Sequence, residues 1–278
     1  MTDASSHPDF ALEVHALTDP GTRREVDEDA CGTWSEVHET AVVAVADGVS
    51  SGPAGEVASG MVIDVLLRAF REDPPGLAAG ARLYRAVQQA NIELYDRAVA
   101  VPELRGMATT LTAAVVERGE LTAVHVGDSR LYHLRGGTLT QLTKDHTVAA
   151  EKVRYGLLGK DRARSHPDRC VLTRSVGREL IVSRDRITRP LAQGDALVLC
   201  TDGLYTVLED AEIAALASGA ADAQAACRAL VEAANARGAE DNVTAAVLRV
   251  VGATPGAEDP SPGHSVAGTL RRLFRRAG

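Results

Sequence analysis

TTLTAAVVERGELTAVHVGDSRLYHLRGGTLTQLT, residues 109–143, decides the fold. Apolar and β-branched residues fill three runs, 109–118, 121–135 and 138–143, and the breaks carry Gly119 and the pair Gly136-Gly137. Extended runs joined by tight glycine-bearing turns are the signature of consecutive hairpins. The segment is therefore expected to form an antiparallel meander. Upstream, TAVVAVA at 40–46 is an apolar strand that stops abruptly at Asp47-Gly48, and residues 10–19 are also β-rich. Between strand 40–46 and the meander, Val57, Ala58, Met61, Val62, Val65, Leu66 and Ala69 recur at helical spacing, with Pro74-Pro75 as a stop. A second helical pattern runs from about 79 to 99.

Downstream, residues 146–157 read as helical and 158–180 as an irregular surface segment. ALVLCTD is a strand ending on a carboxylate, helical patterns cover 209–217 and 221–237, and DNVTAAVLRV is a last strand. Strands and helices come in separate runs rather than in alternation, which favours an α+β layered domain over a doubly wound parallel sheet. The expected organisation is an N-terminal tail at 1–9, one domain at 10–251, and a flexible Pro/Gly-rich linker with a short basic tail at 252–278. In that tail Leu270, Leu273 and Phe274 stand among four arginines, an amphipathic pattern whose alternative is plain disorder.

The 278 residues are 45% hydrophobic, enough for a sizeable core, and the charge of −8 argues against nucleic-acid binding by bulk electrostatics. No signal-like N-terminus and no long apolar run is present, so a cytoplasmic protein without a transmembrane segment is expected. The four cysteines form no metal-like cluster, and Cys200 inside ALVLC reads as a buried small hydrophobe.

Three aspartates stand where an apolar strand gives way to a polar turn: Asp47 in VAVADG, Asp202 in LVLCTDG and Asp241 in AEDNVTAAV. Asp128 lies within the strand pattern at VHVGDS. Singly, each reads as an ordinary turn or capping residue. Together, carboxylates on neighbouring strands can converge, and their repulsion then calls for bound cations. Oxygen donors without His or Cys companions suit Mg2+ or Mn2+, and two such ions would polarise water for hydrolysis of a phosphoester.

GTRREVDEDA (21–30), VVAVADGVS (42–50), MATTLTAAVV (107–116), VHVGDSRLYHLR (124–135), LTKDHT (142–147), LVLCTDGLYTVL (197–208) and EDNVTAAVL (240–248) resemble the successive motifs of PP2C-type (PPM) protein serine/threonine phosphatases. They follow the family's order and span residues 11–250. The resemblance implies a central antiparallel β-sandwich flanked by helix pairs, in α-β-β-α layers. It also implies hydrolysis of phosphoserine and phosphothreonine in proteins by a metal-activated water at a dinuclear centre, without a covalent intermediate. Matched to the bacterial members residue by residue, Asp47 bridges both ions and Gly48 offers its carbonyl to one. Asp202 and Asp241 hold the other ion, Glu28 reaches the centre directly or through water, and Asp29 stands behind it. Asp128 matches the aspartate of a weaker third ion. Arg24 matches the arginine that grips the phosphate, for which a planar guanidinium fork is suited; its other reading is a surface ion pair with Glu25 or Glu28. The implied partners are phosphorylated substrates of a Ser/Thr kinase, bound by a monomer.

The chain departs from the family at Val49, where many eukaryotic members carry His, and at Ser50 and Ser51, where bacterial members have Gly-Gly, which leaves the proton donor open. Asp27 stands where many bacterial relatives have Asn. Segment 158–180 resembles the family's variable flap. There His166 is either a substrate contact or a solvated loop residue, and Lys160, Arg162, Arg164 and Arg169 either attract phosphopeptides or form a solvated charge run. Two rival functions are a weak phosphopeptide-binding scaffold and a hydrolase of small phosphorylated metabolites.

Overall fold

The computed structural model describes residues 10–36, 40–49, 54–73 and 76–252. Strands β1 (Phe10–Asp19), β2 (Asp29–Glu36) and β3 (Thr40–Asp47) lead into helices α1 (Gly55–Glu72) and α2 (Ala79–Ala100). Strands β4 (Leu111–Glu117), β5 (Glu120–Val126), β6 (Arg130–Arg135) and β7 (Thr138–Gln141) follow. Helix α3 (Val148–Arg154), the single turn α4 (Lys160–Ala163), β8 (Asp185–Pro190) and β9 (Ala196–Cys200) come next. The single turn α5 (Asp202–Tyr205), helices α6 (Asp210–Gly219) and α7 (Ala223–Ala236), and β10 (Val243–Gly252) complete the order.

Two antiparallel five-stranded sheets result, with orders β1-β10-β9-β6-β7 and β2-β3-β4-β5-β8. Side chains alternate across each strand. In β3, Val42, Ala44 and Ala46 pack under α1 and α2, while Ala41, Val43 and Val45 pack between the sheets. In β9, Ala196, Val198 and Cys200 meet the cluster of α5 to α7, and Leu197 and Leu199 face the other sheet. A strand buried on both faces must be apolar at every position, which is why these runs lack polar interruptions. The outcome is the expected α-β-β-α sandwich, and Cys200 is a buried hydrophobe within it.

Residues 109–143 do not form one meander. Gly127, at φ 108°, interrupts the expected strand 121–135, so the β4–β5 hairpin lies in one sheet and the β6–β7 hairpin in the other. A Cβ at Gly127 would stand 2.6 Å from Cβ of Thr110, so this turn accepts no side chain. Asp128 accordingly sits in the inter-sheet turn, not within a strand. The hairpin turns Arg118-Gly119 and Gly136-Gly137 have positive φ at both positions, the twist that suits two-residue hairpins. Strands β2 (DACGTWSE) and β8 (DRITRP), both sheet edges, escaped the sequence reading because neither shows a sustained apolar alternation. Segment 158–180 is irregular apart from α4 and a 3-10 turn at Pro167–Cys170. Ser50, Ser51 and the expected C-terminal tail beyond Gly252 lie outside the described residues.

Candidate active site

Antiparallel pairing delivers the candidate carboxylates to one edge of the sandwich. Asp47 ends β3 directly opposite Asp29, the first residue of β2, with Glu28 just before it. In the other sheet Cys200 pairs with Ala245 of β10 and with Arg130 of β6. Asp202, Asp241 and Asp128 therefore emerge from three neighbouring strands of that sheet, facing Asp47 and Asp29.

Crowding of like charges shows in their protonation. Burial, then Asp29, Asp202, Asp128 and Asp241, push the Asp47 carboxyl well above the usual carboxylate range. Asp128 is raised by burial, then by Asp202 and Asp145. Asp202 rises to about 6 through burial and Asp241, against the pull of Arg169, Arg24 and Arg130. Burial lifts Asp29 to about 8 even though the hydroxyls of Thr244 and Thr201 donate to its Oδ2 at 2.6 and 2.7 Å.

Hydrogen bonds fix the backbone around these groups. The Asp47 N–H donates to Thr110 Oγ1 at 2.9 Å, and its carbonyl accepts the Thr109 hydroxyl and the Thr110 N–H at 2.8 Å. The Gly48 N–H donates to the Glu28 carbonyl at 2.9 Å, and a Cβ on Gly48 would lie 2.3 Å from the Gly55 carbonyl oxygen, so glycine alone fits. Asn242 donates to the carbonyls of Pro20 and Val26 and accepts the Glu28 N–H, all at 3.0 Å. The loop bearing Arg24 and Glu28 is thus held against the Asp241 turn. Arg24 lies 2.8 Å from Asp241 Oδ2 and 3.9 Å from Glu28 Oε2, so its shortest ion pair is one that neither sequence reading named. Asp27 acts only as an acceptor, from the Thr18 hydroxyl and the Asp29 N–H, a role that its carboxylate fills.

Among the described residues no three carboxylate, imidazole or thiolate groups close into a ligand cluster. Hard divalent ions such as Mg2+ keep several waters and use one or two carboxylates each, so donors spread around a cleft remain compatible with them. The donor set is oxygen-only, anionic and short of cations, which fits such ions.

A groove of about 1100 Å3 runs from Asp128 and Asp202 beneath the flap, past Arg130, His146, Arg169 and Arg174. His166 is away from this lining and caps the 3-10 turn by accepting the Asp168 N–H at 3.1 Å. Arg164 pairs with Glu209 at 2.8 Å. Sequence reasoning missed the supporting roles of Asn242, Thr201, Thr244 and Thr110. Only their positions inside quoted motifs hinted at them.

A two-sheet sandwich with an acidic edge and an arginine beside it is a frame on which divalent-ion chemistry on an anionic substrate can be built, and the comparisons name the class. The family described as protein phosphatase 2C matches residues 22–249. The serine/threonine phosphatase stp of Listeria innocua is 33% identical over 236 residues, 84% of this chain and 94% of that protein. The structure of serine/threonine phosphatase Stp1 from Staphylococcus aureus superposes with a TM-score of 0.82 at 29% identity, covering 91% of this chain and 100% of that one. The catalytic domain of the serine/threonine phosphatase PstP in complex with two manganese ions gives 0.76 at 34% identity, covering 87% and 99%. The chain belongs to the protein phosphatase 2C family.

Proposed function

We propose that this chain hydrolyses phosphoserine and phosphothreonine in proteins at a centre of two divalent ions, Mn2+ or Mg2+. The carrying observation is the convergence of Asp47, Asp128, Asp202 and Asp241 on one sandwich edge, with Arg24 alongside. Asp47 would bridge the ions, with the Gly48 carbonyl on one side and Asp202 and Asp241 on the other. Glu28 would reach the centre from the Arg24 loop, with Asp29 behind it, and Asp128 would hold a weaker third ion. Bound divalent ions supply charge that makes water a nucleophile at neutral pH and offsets negative charge on the phosphoryl group.

The chain's own groups do the rest. Arg24 offers a planar fork of donors to the phosphate oxygens, exchanging its contact with Asp241 for the substrate. Thr109 and Thr110 hold the Asp47 backbone, and Thr201 and Thr244 anchor Asp29, so the carboxylates are set before substrate arrives. The groove beside Asp202 receives the peptide around the phosphorylated residue. The proposed substrates are phosphoproteins made by a cytoplasmic Ser/Thr kinase, and the enzyme acts as a monomer.

The test is hydrolysis of a phosphothreonine peptide with Mn2+ or EDTA, for the wild type, Asp47→Asn and Asp202→Asn. Metal-dependent turnover lost in both variants is expected. Absence of turnover by a folded, metal-loaded wild type would sink the reading. Faster turnover of sugar phosphates than of the peptide would favour the small-metabolite reading instead.

A further inference from the structure

We propose that His146 is a positioning residue that clamps the turn carrying Asp128 to the root of the flap. The imidazole is 5% exposed and reaches in two directions. On one side its Nδ1 accepts the Gly127 N–H at 3.1 Å, while its own backbone N–H donates to the Gly127 carbonyl at 2.7 Å. A ring that accepts through Nδ1 carries its neutral-form proton on Nε2. That Nε2 faces Asp185 Oδ2 at 3.3 Å, the first residue of β8. Arg174, at the C-terminal end of the flap, donates to Asp185 Oδ1 at 2.8 Å, so the ring and the guanidinium meet through the same carboxylate. The His146 carbonyl accepts the Thr173 N–H at 2.8 Å, so the flap's returning segment is tied to the same residue.

The ring's orientation is itself held. His125 stacks on His146 with centroids 4.7 Å apart, and its nitrogens lie 2.9 Å from Thr112 Oγ1 and 3.1 Å from the Lys144 carbonyl. Burial, then the neighbouring Arg174, keep the His146 imidazole below its ordinary pKa, which leaves Nδ1 free to accept. At the other end Gly127 is pressed against Thr110, and the Asp128 carbonyl accepts the Tyr205 hydroxyl at 3.1 Å. A shift of the flap root is therefore passed through one side chain to the backbone of Asp128. The activity readouts below rest on the metal role proposed for Asp128, whereas the exchange readout does not.

Two variants of the full chain separate the arms of the clamp. In His146→Asn the side-chain oxygen stands where Nδ1 does and still accepts from Gly127, but the amide falls short of Asp185. In His146→Gln the amide reaches toward Asp185 and leaves Gly127 without its acceptor. His146→Gln should raise the Mn2+ concentration for half-maximal p-nitrophenyl phosphate hydrolysis by about tenfold, the scale of losing a group that orients a metal ligand. It should also speed amide exchange in the peptide covering 125–129 by about fivefold or more, the scale of one hydrogen bond. His146→Asn should recover most of both losses while raising KM for a phosphothreonine peptide by about fivefold. Equal effects of the two variants, or unchanged exchange in a folded His146→Gln protein, would overturn the proposal. Exchange in the expected order from a chain that hydrolyses nothing supports the clamp and refutes the catalytic reading instead.

Discussion

Replacing Asn242 with alanine is the sharpest probe of how the site is held. Its side chain is buried and makes three hydrogen bonds of 3.0 Å, two to the carbonyls of Pro20 and Val26 and one from the Glu28 N–H. At roughly 1 kcal/mol each, with polar groups left unpaired once they are gone, the loss is about 3 kcal/mol. For a domain of this size that corresponds to a fall in Tm of roughly 6–12 °C. Urea denaturation in EDTA measures the stability term without any contribution from metal. Asn242→Asp should be at least as damaging, because it loses both donors and sets a carboxylate against two carbonyls. Since the loop that Asn242 holds carries Arg24 and Glu28, phosphopeptide kcat/KM should fall at temperatures where both variants remain folded. A loss below about 1 kcal/mol would refute the view that this one side chain fastens the loop.

Other outcomes follow from the same geometry. In EDTA the folded state holds the Asp29 proton up to about pH 8, against an ordinary value of 3.8, so stability falls as pH rises through that interval. His125, pushed down to about 4, acts in the opposite sense, but its contribution is complete above the ordinary imidazole value of 6.5. Between pH 6.5 and 8 the metal-free chain should therefore lose stability, by on the order of 1 kcal/mol per pH unit from Asp29 with Asp47 and Asp128 adding in the same sense, and saturating Mn2+ should flatten the slope; a rising Tm in EDTA would contradict this. Gly203→Ala would place a Cβ 2.0 Å from the Asn242 carbonyl oxygen, so the variant should be unfolded or insoluble, and a soluble protein with wild-type Tm would refute that packing. Arg24→Lys should lower kcat/KM on a phosphopeptide by roughly a hundredfold, the worth of losing one of the fork's two hydrogen bonds to a charged group. Its half-exposed pair with Asp241 makes the stability change under about 1 kcal/mol, and full activity of the lysine variant would remove Arg24 from phosphate binding.

The strands most plainly legible in the sequence were those buried on both sides. Strands β3, β9 and β10 announce themselves because each of their faces meets a core cluster, so their middles are apolar, with Thr244 and Arg249 of β10 the interior exceptions. Edges β2 (DACGTWSE) and β8 (DRITRP) stay hidden because the first carries a mid-strand glycine and the second a single large aliphatic residue, whereas edge β1 shows Leu12, Val14 and Ala16 at alternate positions. The aspartates at strand ends were visible for the same reason as the strands they terminate. Asp128 was misplaced because a single left-handed glycine, Gly127, sends one apparent strand into two sheets. Thr201, Thr244 and Asn242 were silent because their partners, Asp29 and the 20–28 loop, lie far away in sequence and meet them only through strand register.

One pairing has a bearing on how the chain is made. β1 lies at the edge of its sheet and, among the described residues, finds its only partner strand there in β10, from Phe10 opposite Gly252 to Asp19 opposite Val243. Of the described strands, the first to leave the ribosome must therefore wait for the last. Until β10 emerges, the place between β1 and β9 is empty, and the Leu248 and Val250 side chains that help seal the two sheets together are missing. Ladders closed across so long a stretch of chain form slowly, and open strand edges are adhesive in the meantime. Closure of this domain thus waits on its riskiest step, the arrival of β10, and a nascent chain stalled short of Gly252 is a natural client for chaperones.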